Sequence, residues 1–578
     1  MSSSRPAPRL LIGPVLRRVV GTRATVWVET SAPTVVRVST PDGAAGAATT
    51  FSAFDHHYAI VVVDGLRPGT TSTYQVLLDD EPVWPEPESR FPPSVIRTRA
   101  EDDPPVRLVF GSCRETTQHA TARRLPPDAL DAYARRMMAA PDETADWPDL
   151  LVLLGDQVYA DQTSPTVRKL LRRRRNRSTD APADQVVSFD EYTKLYLESW
   201  RDPEIRWLLS TVPSVMIFDD HEIIDDWNTS APWRTEVHRQ PWWSERIASG
   251  LASYWVYQHL GNLEPEEITA DPVYAKVVAA GDATEVLRAF GEQVDAEALG
   301  YDAALGRGER PDERTQAGRY QWSYSLDVGR TRLVVLDNRG SRVLDRTHRA
   351  MLPPAEWAWF TNQVQGDYDH LVVGSSLPWL LPPGIHHLES WNERLADSSR
   401  PRVAALSERL RRALDLEHWA AFRRSFDALA MVFARLGAGE PGRAGDRVGT
   451  GPAYPPPASI SVLSGDVHHS YVARARFPGG LATPVHQLTC SPIHNQIPAL
   501  MRPLLRVGWW RGVSVVAQAL ARTAGVRRPP VRWRRLDGPY FGNAVSTLCH
   551  DGRNAEVTIE GTRADGTLLT VARRTLTR

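Results

Sequence analysis

Leu150-Leu151-Val152-Leu153-Leu154-Gly155-Asp156-Gln157-Val158-Tyr159 is the stretch on which the reading of this chain turns. Its five leading residues are apolar without alternation, the pattern of a strand buried on both faces. Its tail becomes polar at once, through Gly155 to Asp156 and Tyr159. The same switch recurs along the chain. VRLVF (106–110) runs into Gly111-Ser112-Cys113-Arg114, and VMIF (215–218) into Asp219-Asp220-His221-Glu222. RLVVL (332–336) runs into Asp337-Asn338-Arg339, and ISVL (460–463) into Ser464-Gly465-Asp466-Val467-His468-His469. A further run, LVVG (371–374), joins the set. The intervening stretches are long enough for crossover helices, which describes a layered α/β domain. Ligands of open α/β sheets bind beyond the carboxyl ends of the strands. Five strand ends therefore offer side chains suited to metal or phosphate.

Outward from this pattern, residues 9–98 read differently. ATVWVET, TVVRVST, HYAIVVVDGL and STYQVLLDD are rich in β-branched and aromatic residues and are split by turn signals such as PDGAAG. Asp64-Gly-Leu-Arg-Pro-Gly-Thr followed by Tyr74 resembles the strand-turn-tyrosine edge of fibronectin-like sandwiches. The expected organisation is an N-terminal β-sandwich over residues 1–99 and a catalytic α/β domain over 104–578, joined across Pro104 and Pro105. Two mainly helical inserts are expected at about 240–310 and 400–440. Residues 437–458 read as a Gly- and Pro-rich loop.

The chain has 578 residues, 68 Lys and Arg against 69 Asp and Glu, and a formal net charge of -1, so no global basic field argues for a nucleic-acid partner. Cys113, Cys490 and Cys549 are too few and odd in number for a disulfide framework. No apolar run reaches the ~18 residues of a membrane span, and the first residues lack a signal-peptide pattern. A cytoplasmic location is the resulting expectation.

Any one Asp after a strand is ordinarily a turn or cap residue, and a Cys there is ordinarily a small buried hydrophobe. Recurrence changes that balance. Carboxylates, imidazole, thiol and phenol gathered at one sheet edge repel or desolvate one another unless a cation compensates them.

Gly-Ser-Cys, Gly-Asp-x-x-Tyr, Asp-Asp-His-Glu and Gly-Asp-Val-His, in that order and each after an apolar strand, resemble the alkaline phosphatase D (PhoD-like) metallophosphatases over roughly residues 104–550. The resemblance implies the calcineurin-like metallophosphoesterase fold, a central β-sandwich flanked by helices. It implies Cys113, Asp156, Tyr159, Asp220, Asp466 and His468 as metal ligands; this chain departs from the family in having Asp225-Asp226 where Asn is frequent, and either Asp is a candidate extra ligand. The ligand set it implies suits ferric iron with calcium. The activity expected is hydrolysis of phosphodiesters or phosphomonoesters by a metal-bound hydroxide. Arg114 is expected to clamp phosphate oxygens and His221 to assist the leaving oxygen. Arg339 has two readings, a second clamp or a salt bridge behind the site. His469 reads as an ordinary core or surface histidine, or as a support behind the ligands.

Two basic stretches stand apart. RKLLRRRRNR (168–177) reads as a solvated loop. Residues 502–535 hold nine arginines, no Asp or Glu, and Trp509, Trp510 and Trp533. There Val513, Val516, Ala517 and Leu520 are expected to pack on the core, with the arginines meeting acids elsewhere. The alternative is peripheral membrane contact through 502–535 by a phospholipid phosphodiesterase. A non-catalytic scaffold of the same fold is the other competing reading. The sequence implies a phosphate-ester substrate and no protein partner.

Overall fold

The computed structural model describes residues 7–121, 124–175, 180–309, 319–439 and 454–577, and the backbone of 443–444 and 447–448. Its first part is two antiparallel four-stranded sheets. One runs Leu10–Val20, Arg23–Thr30, His56–Val63, Phe51–Ala53, and the other Ala45–Thr49, Val35–Ser39, Gln75–Leu78, Glu81–Trp84. Strand alternation sets the core. Val36 and Val38 point inward while Arg37 points out, and they meet Val26, Val28, Val61 and Val76 from the neighbouring strands.

The first sheet also buries its opposite face. Ile12, Trp27, Tyr58 and Ile60 enter the core of the following α/β layers, where the Trp27 ring lies 6.1 Å from Trp200 and 5.2 Å from Tyr257. Tyr74 departs from the fibronectin-like edge. A tyrosine corner returns its hydroxyl to its own domain's backbone, whereas Tyr74 donates 2.6 Å to the carbonyl of Ser210 in helix Pro203–Thr211.

The α/β part is built on two sheets. The first has the order Ser214–Ile217, Leu150–Leu154, Val106–Gly111, Ala544–Asp551, Asn554–Thr562, Leu568–Thr575. Its first three strands are parallel, and Leu150–Leu154 is buried throughout in the middle of them. The second has the order Tyr324–Val328, Thr331–Leu336, His370–Ser375, Ser459–Ser464, Val485–Thr489, Ser470–Arg476, Arg532–Tyr540. Leu108, Val152 and Ile217 of the first sheet share a core with Leu333, Val335, Val372 and Leu463 of the second. The sheets approach so closely that a methyl group on Gly374 would lie 3.2 Å from Leu154.

The second sheet's other face, through Val334, Val373 and Val462, is covered by Phe426, Leu429 and Phe433 of helix Arg423–Ala438. Those three positions fall on one helical face, and the helix stops at Gly439 in the left-handed conformation (φ 71°). The expected inserts are helical: Trp243–Tyr254 to Thr284–Gly306 in the first, Pro401–Ala413 and Arg423–Ala438 in the second.

Two expectations change here. The basic run after residue 164 is a helix, Pro165–Arg174, capped by the Ser164 hydroxyl; Arg174 pairs with Asp190 and Arg175 with Glu191, while the expected run's Asn176 and Arg177 lie outside the described residues. The arginines of 502–535 find no carboxylate within salt-bridge distance among the described residues, and Val516 and Leu520 lie on the surface. In the stretch expected as the 437–458 loop, 437–439 end helix Arg423–Ala438, Arg443–Ala444 pairs with Arg447–Val448, 454–458 run without regular structure, and 440–442, 445–446 and 449–453 lie outside the described residues.

Candidate metal centre

The strand ends arrive at one place because their backbones interlock. Cys113 N–H donates to Gly155 O at 3.1 Å and Arg114 N–H to Asp156 O at 3.0 Å. Asp466 N–H donates to the Ser112 hydroxyl at 3.1 Å. The buried Glu222 carboxylate braces two loops at once, accepting the N–H groups of Asp156 at 3.0 Å, Gln157 at 2.7 Å and Asp219 at 2.9 Å. Gly155 sits at φ 100°, where a Cβ would fall 2.7 Å from that of Asp219. Cys113, Asp156, Asp466 and His468 all hold left-handed backbone, with φ of 60°, 55°, 63° and 48°. Non-glycine residues in that region cost roughly 1–3 kcal/mol each and persist where the surroundings force them, typically at functional sites.

Donor atoms of Asp156, Asp220 and His221 lie within 4.8 Å of one another, as do those of Asp219, Asp220 and Asp466. The Cys113 thiol and Tyr159 hydroxyl approach the same oxygen, Asp156 Oδ2, at 3.3 and 3.4 Å. Asn495 donates 3.0 Å to the Tyr159 hydroxyl. The structure thus brings Cys113, Asp156, Tyr159, Asp220 and Asp466 together. His468 follows Asp466 by two residues, its N–H donating 2.6 Å to the Asp466 carbonyl, and stands outside the two donor groups; burial lowers its pKa to about 4.

The electrostatics are those of a donor set suited to a cation. Burial, with neighbouring carboxylates adding to it, pushes Asp156 and Asp219 well above the usual carboxylate range, and Asp220 upward. Burial and the charges of Asp156 and Asp466 likewise push the Cys113 thiol well up, and burial with Asp156 does the same for Tyr159. Asp156 Oδ1 and Asp219 Oδ2 are buried without a hydrogen-bond partner. Buried carboxylate oxygens left this way are costly unless a cation meets them. Thiol, phenol, imidazole and carboxylates together fit a transition metal beside a hard cation.

The three expected catalytic residues are held in different ways. His221 is bound at Nδ1 by Asp161 Oδ1 (2.9 Å) and stacks on Tyr159 at 4.4 Å, which leaves Nε2 for chemistry. Arg114, expected to clamp phosphate, has its guanidinium buried against Asp128 (2.7 Å) and the Ser199 hydroxyl (2.8 Å). Arg339 takes the salt-bridge reading. It is fully buried, pairs with Asp219, lies 3.4 Å from Asp220 and meets Glu417 through two bonds of 2.6 and 2.5 Å. His469 is a core residue whose Nδ1 meets the Val467 carbonyl at 2.7 Å. Asp225 and Asp226 stand beside the centre and outside its two donor groups.

Sequence reasoning missed Asp219, Asp161, Glu417 and His418. His418 Nε2 lies 3.2 Å from Asp466 Oδ2, and its Nδ1 meets Glu389 at 2.8 Å. Burial opposes ionisation of Asp466, but His418 and Arg339 hold it down to about 2. The one signal for this pair was Glu417-His418 inside the apolar string around Trp419, in an insert with no strand before it. A cavity of about 780 Å³ opens beside the Asp161–His221 pair, lined also by Glu115, His119, Arg124 and Arg168.

Residues 118–287 match the family described as PhoD-like phosphatase, and residues 7–96 match a domain of unknown function, DUF7800. Among curated proteins, none matches the chain. A solved structure described as "Structure of PhoD" has the same fold, with a TM-score of 0.56 over 99% of this chain and 90% of that one at 12% identity. A maltogenic amylase from S. marinus aligns at a TM-score of 0.15 and 8% identity, over 96% of this chain and 80% of that one, and carries no argument. The family match over 118–287 and the shared fold support the resemblance that the strand-end motifs carry to PhoD-like phosphatases.

Proposed function

We propose that this protein is a metal-dependent phosphoesterase acting on phosphodiesters, phosphomonoesters or both. The observation that carries the reading is the convergence of Cys113, Asp156, Tyr159, Asp220 and Asp466, four strand ends meeting around carboxylate oxygens that are buried without partners. Cys113, Asp156, Tyr159, Asp220, Asp466 and His468 would hold the metals, with Asp219 as an addition, and the donor set suits ferric iron with calcium. When bound, such cations activate water and neutralise charge on phosphoryl oxygens.

The chain's own residues do the rest. Asp161 fixes the ring of His221, whose Nε2 donates a proton to the leaving oxygen. The cavity beside Asp161 receives the remainder of the ester. Arg339 and Glu417 hold Asp219 and Asp220 in place from behind. The same reading divides the chain into a fibronectin-like sandwich over 1–99 and a calcineurin-like metallophosphoesterase domain over 104–578, supported by the two facing sheets.

Protein purified without chelator is expected to contain iron and calcium by elemental analysis. It is expected to hydrolyse bis-p-nitrophenyl phosphate or p-nitrophenyl phosphate, and to lose that activity on chelation and in Asp156→Ala. A folded protein that stays inactive after metals are restored would overturn the reading in favour of a binding scaffold.

A further inference from the structure

Helix Arg511–Thr523 wears its apolar residues on the outside. Gly512, Val515, Val516, Ala519, Leu520 and Thr523 recur at helical spacing, all are exposed, and none is charged. Val516 is 70% exposed and Val515 59%. The opposite face is the packed one. Val513 lies where a methyl on Gly384 would touch it at 3.0 Å, and Gln518 reaches His387 at 3.4 Å, both on helix Pro383–Ala396. A surface helix ordinarily turns its charges to water and its apolar stripe to the core. Here the stripe faces water, with Arg511 and Arg522 flanking it.

The preceding helix, Met501–Val507, continues the pattern. Leu500 is 87% exposed, Leu504 is exposed, and Trp510 between the two helices is 63% exposed. The same segment, 502–535, carries nine arginines, eight of them exposed. Arg506 lies over Phe541 and Arg535 over Trp509, and Arg522 meets Gln518, but among the described residues no carboxylate pairs with any of the nine. The chain as a whole is neutral to within one charge, so this is a local concentration.

We propose that this helix pair docks the protein on an anionic lipid bilayer, with Trp510, Val515, Val516 and Leu520 entering the interface and the arginines meeting lipid phosphates. A stripe of exposed apolar side chains with a cationic surround and an interfacial Trp suits the boundary between headgroups and acyl chains. Arginines near such a surface add electrostatic attraction that salt screens. Pairing with a second copy of this chain would set nine arginines against nine, which electrostatics opposes. The docked face is also close to the candidate centre. Asn495, which holds the Tyr159 hydroxyl, precedes Leu500 by five residues, at most roughly 18 Å of chain. The proposal does not depend on the phosphoesterase reading, because its test reads binding.

The test is co-sedimentation of the full chain with vesicles of phosphatidylcholine alone and of phosphatidylcholine with phosphatidylglycerol, at low and high salt. Binding is expected only to the anionic vesicles and is expected to weaken with salt. Val516→Glu with Leu520→Glu is expected to reduce partitioning roughly tenfold or more, with the thermal midpoint and the hydrolysis of a soluble ester unchanged. Arg527→Ala with Arg528→Ala is expected to weaken binding at low salt while leaving the fold intact. Absence of binding to anionic vesicles at low salt would overturn the proposal. So would equal binding by wild type and the double Glu variant, or a concentration-dependent dimer in sedimentation that the double Glu variant dissolves in the absence of vesicle binding.

Discussion

Arg114 and Arg339 illustrate how a residue next to a reactive strand end can serve the fold. Both guanidinium groups are buried against carboxylates, and removing one partner of a buried pair leaves the other charge uncompensated. Arg114→Met is therefore expected to lower stability by ~3–5 kcal/mol in urea unfolding, with the KM for a soluble ester unchanged. A raised KM without lost stability would restore the clamp role. Asp161→Asn is expected to lower kcat far more than it raises KM, because it frees the His221 ring and its tautomer while the carboxylates of the candidate centre stay in place. Gly155→Ala is expected to reduce metal content and activity together, since φ 100° and the 2.7 Å approach to Asp219 leave no room for a methyl group.

At the scale of elements, the strands carry the donors and the inserts brace them. Helix Arg423–Ala438 covers the second sheet, and the turn before it supplies Glu417 and His418 to Arg339 and Asp466. Phe433 is fully buried between that helix and Trp379, whose ring lies 5.2 Å away. Phe433→Ala is expected to cost ~3–5 kcal/mol of unfolding free energy through the cavity it leaves, measured by chemical denaturation. Helix Arg511–Thr523 is the contrary case, an element whose exposed apolar stripe adds nothing to the core.

For the molecule as a whole, the N-terminal sandwich is docked through a buried aromatic layer and a titratable contact at His56. His56 bridges Glu29 of the sandwich at 2.8 Å and Asp190 of helix Phe189–Trp200 at 3.3 Å. Burial alone would lower its pKa, and Lys194 opposes its charge, but the two carboxylates overcome both and raise it to about 9. A histidine raised from its ordinary 6.5 contributes stability that is complete below pH 6.5 and lost as pH rises through about 9. That difference corresponds to on the order of 3 kcal/mol. Unfolding free energy is expected to fall across that window in the wild type and to stay flatter in His56→Gln, as read by urea titrations at several pH values.

Local pattern in the chain is enough to read the α/β class and the polar residues at most of the converging strand ends. Unbroken apolar runs must be buried on both faces, so the strands and the polar residues at their ends could be read from local pattern alone. Strand Leu150–Leu154 and the ends at Cys113, Asp156, Asp220 and Asp466 were legible in this way. The pairing of the buried charges, by contrast, follows from the three-dimensional packing. Arg339 and Asp219 stand 120 residues apart, and Arg339 and Glu417 stand 78 apart. No local pattern carries such partnerships, because they depend on which loops the sheet order brings together. The outward face of helix Arg511–Thr523 was hidden for the same reason, since periodicity marks an apolar stripe but not the side of the helix that finds a neighbour.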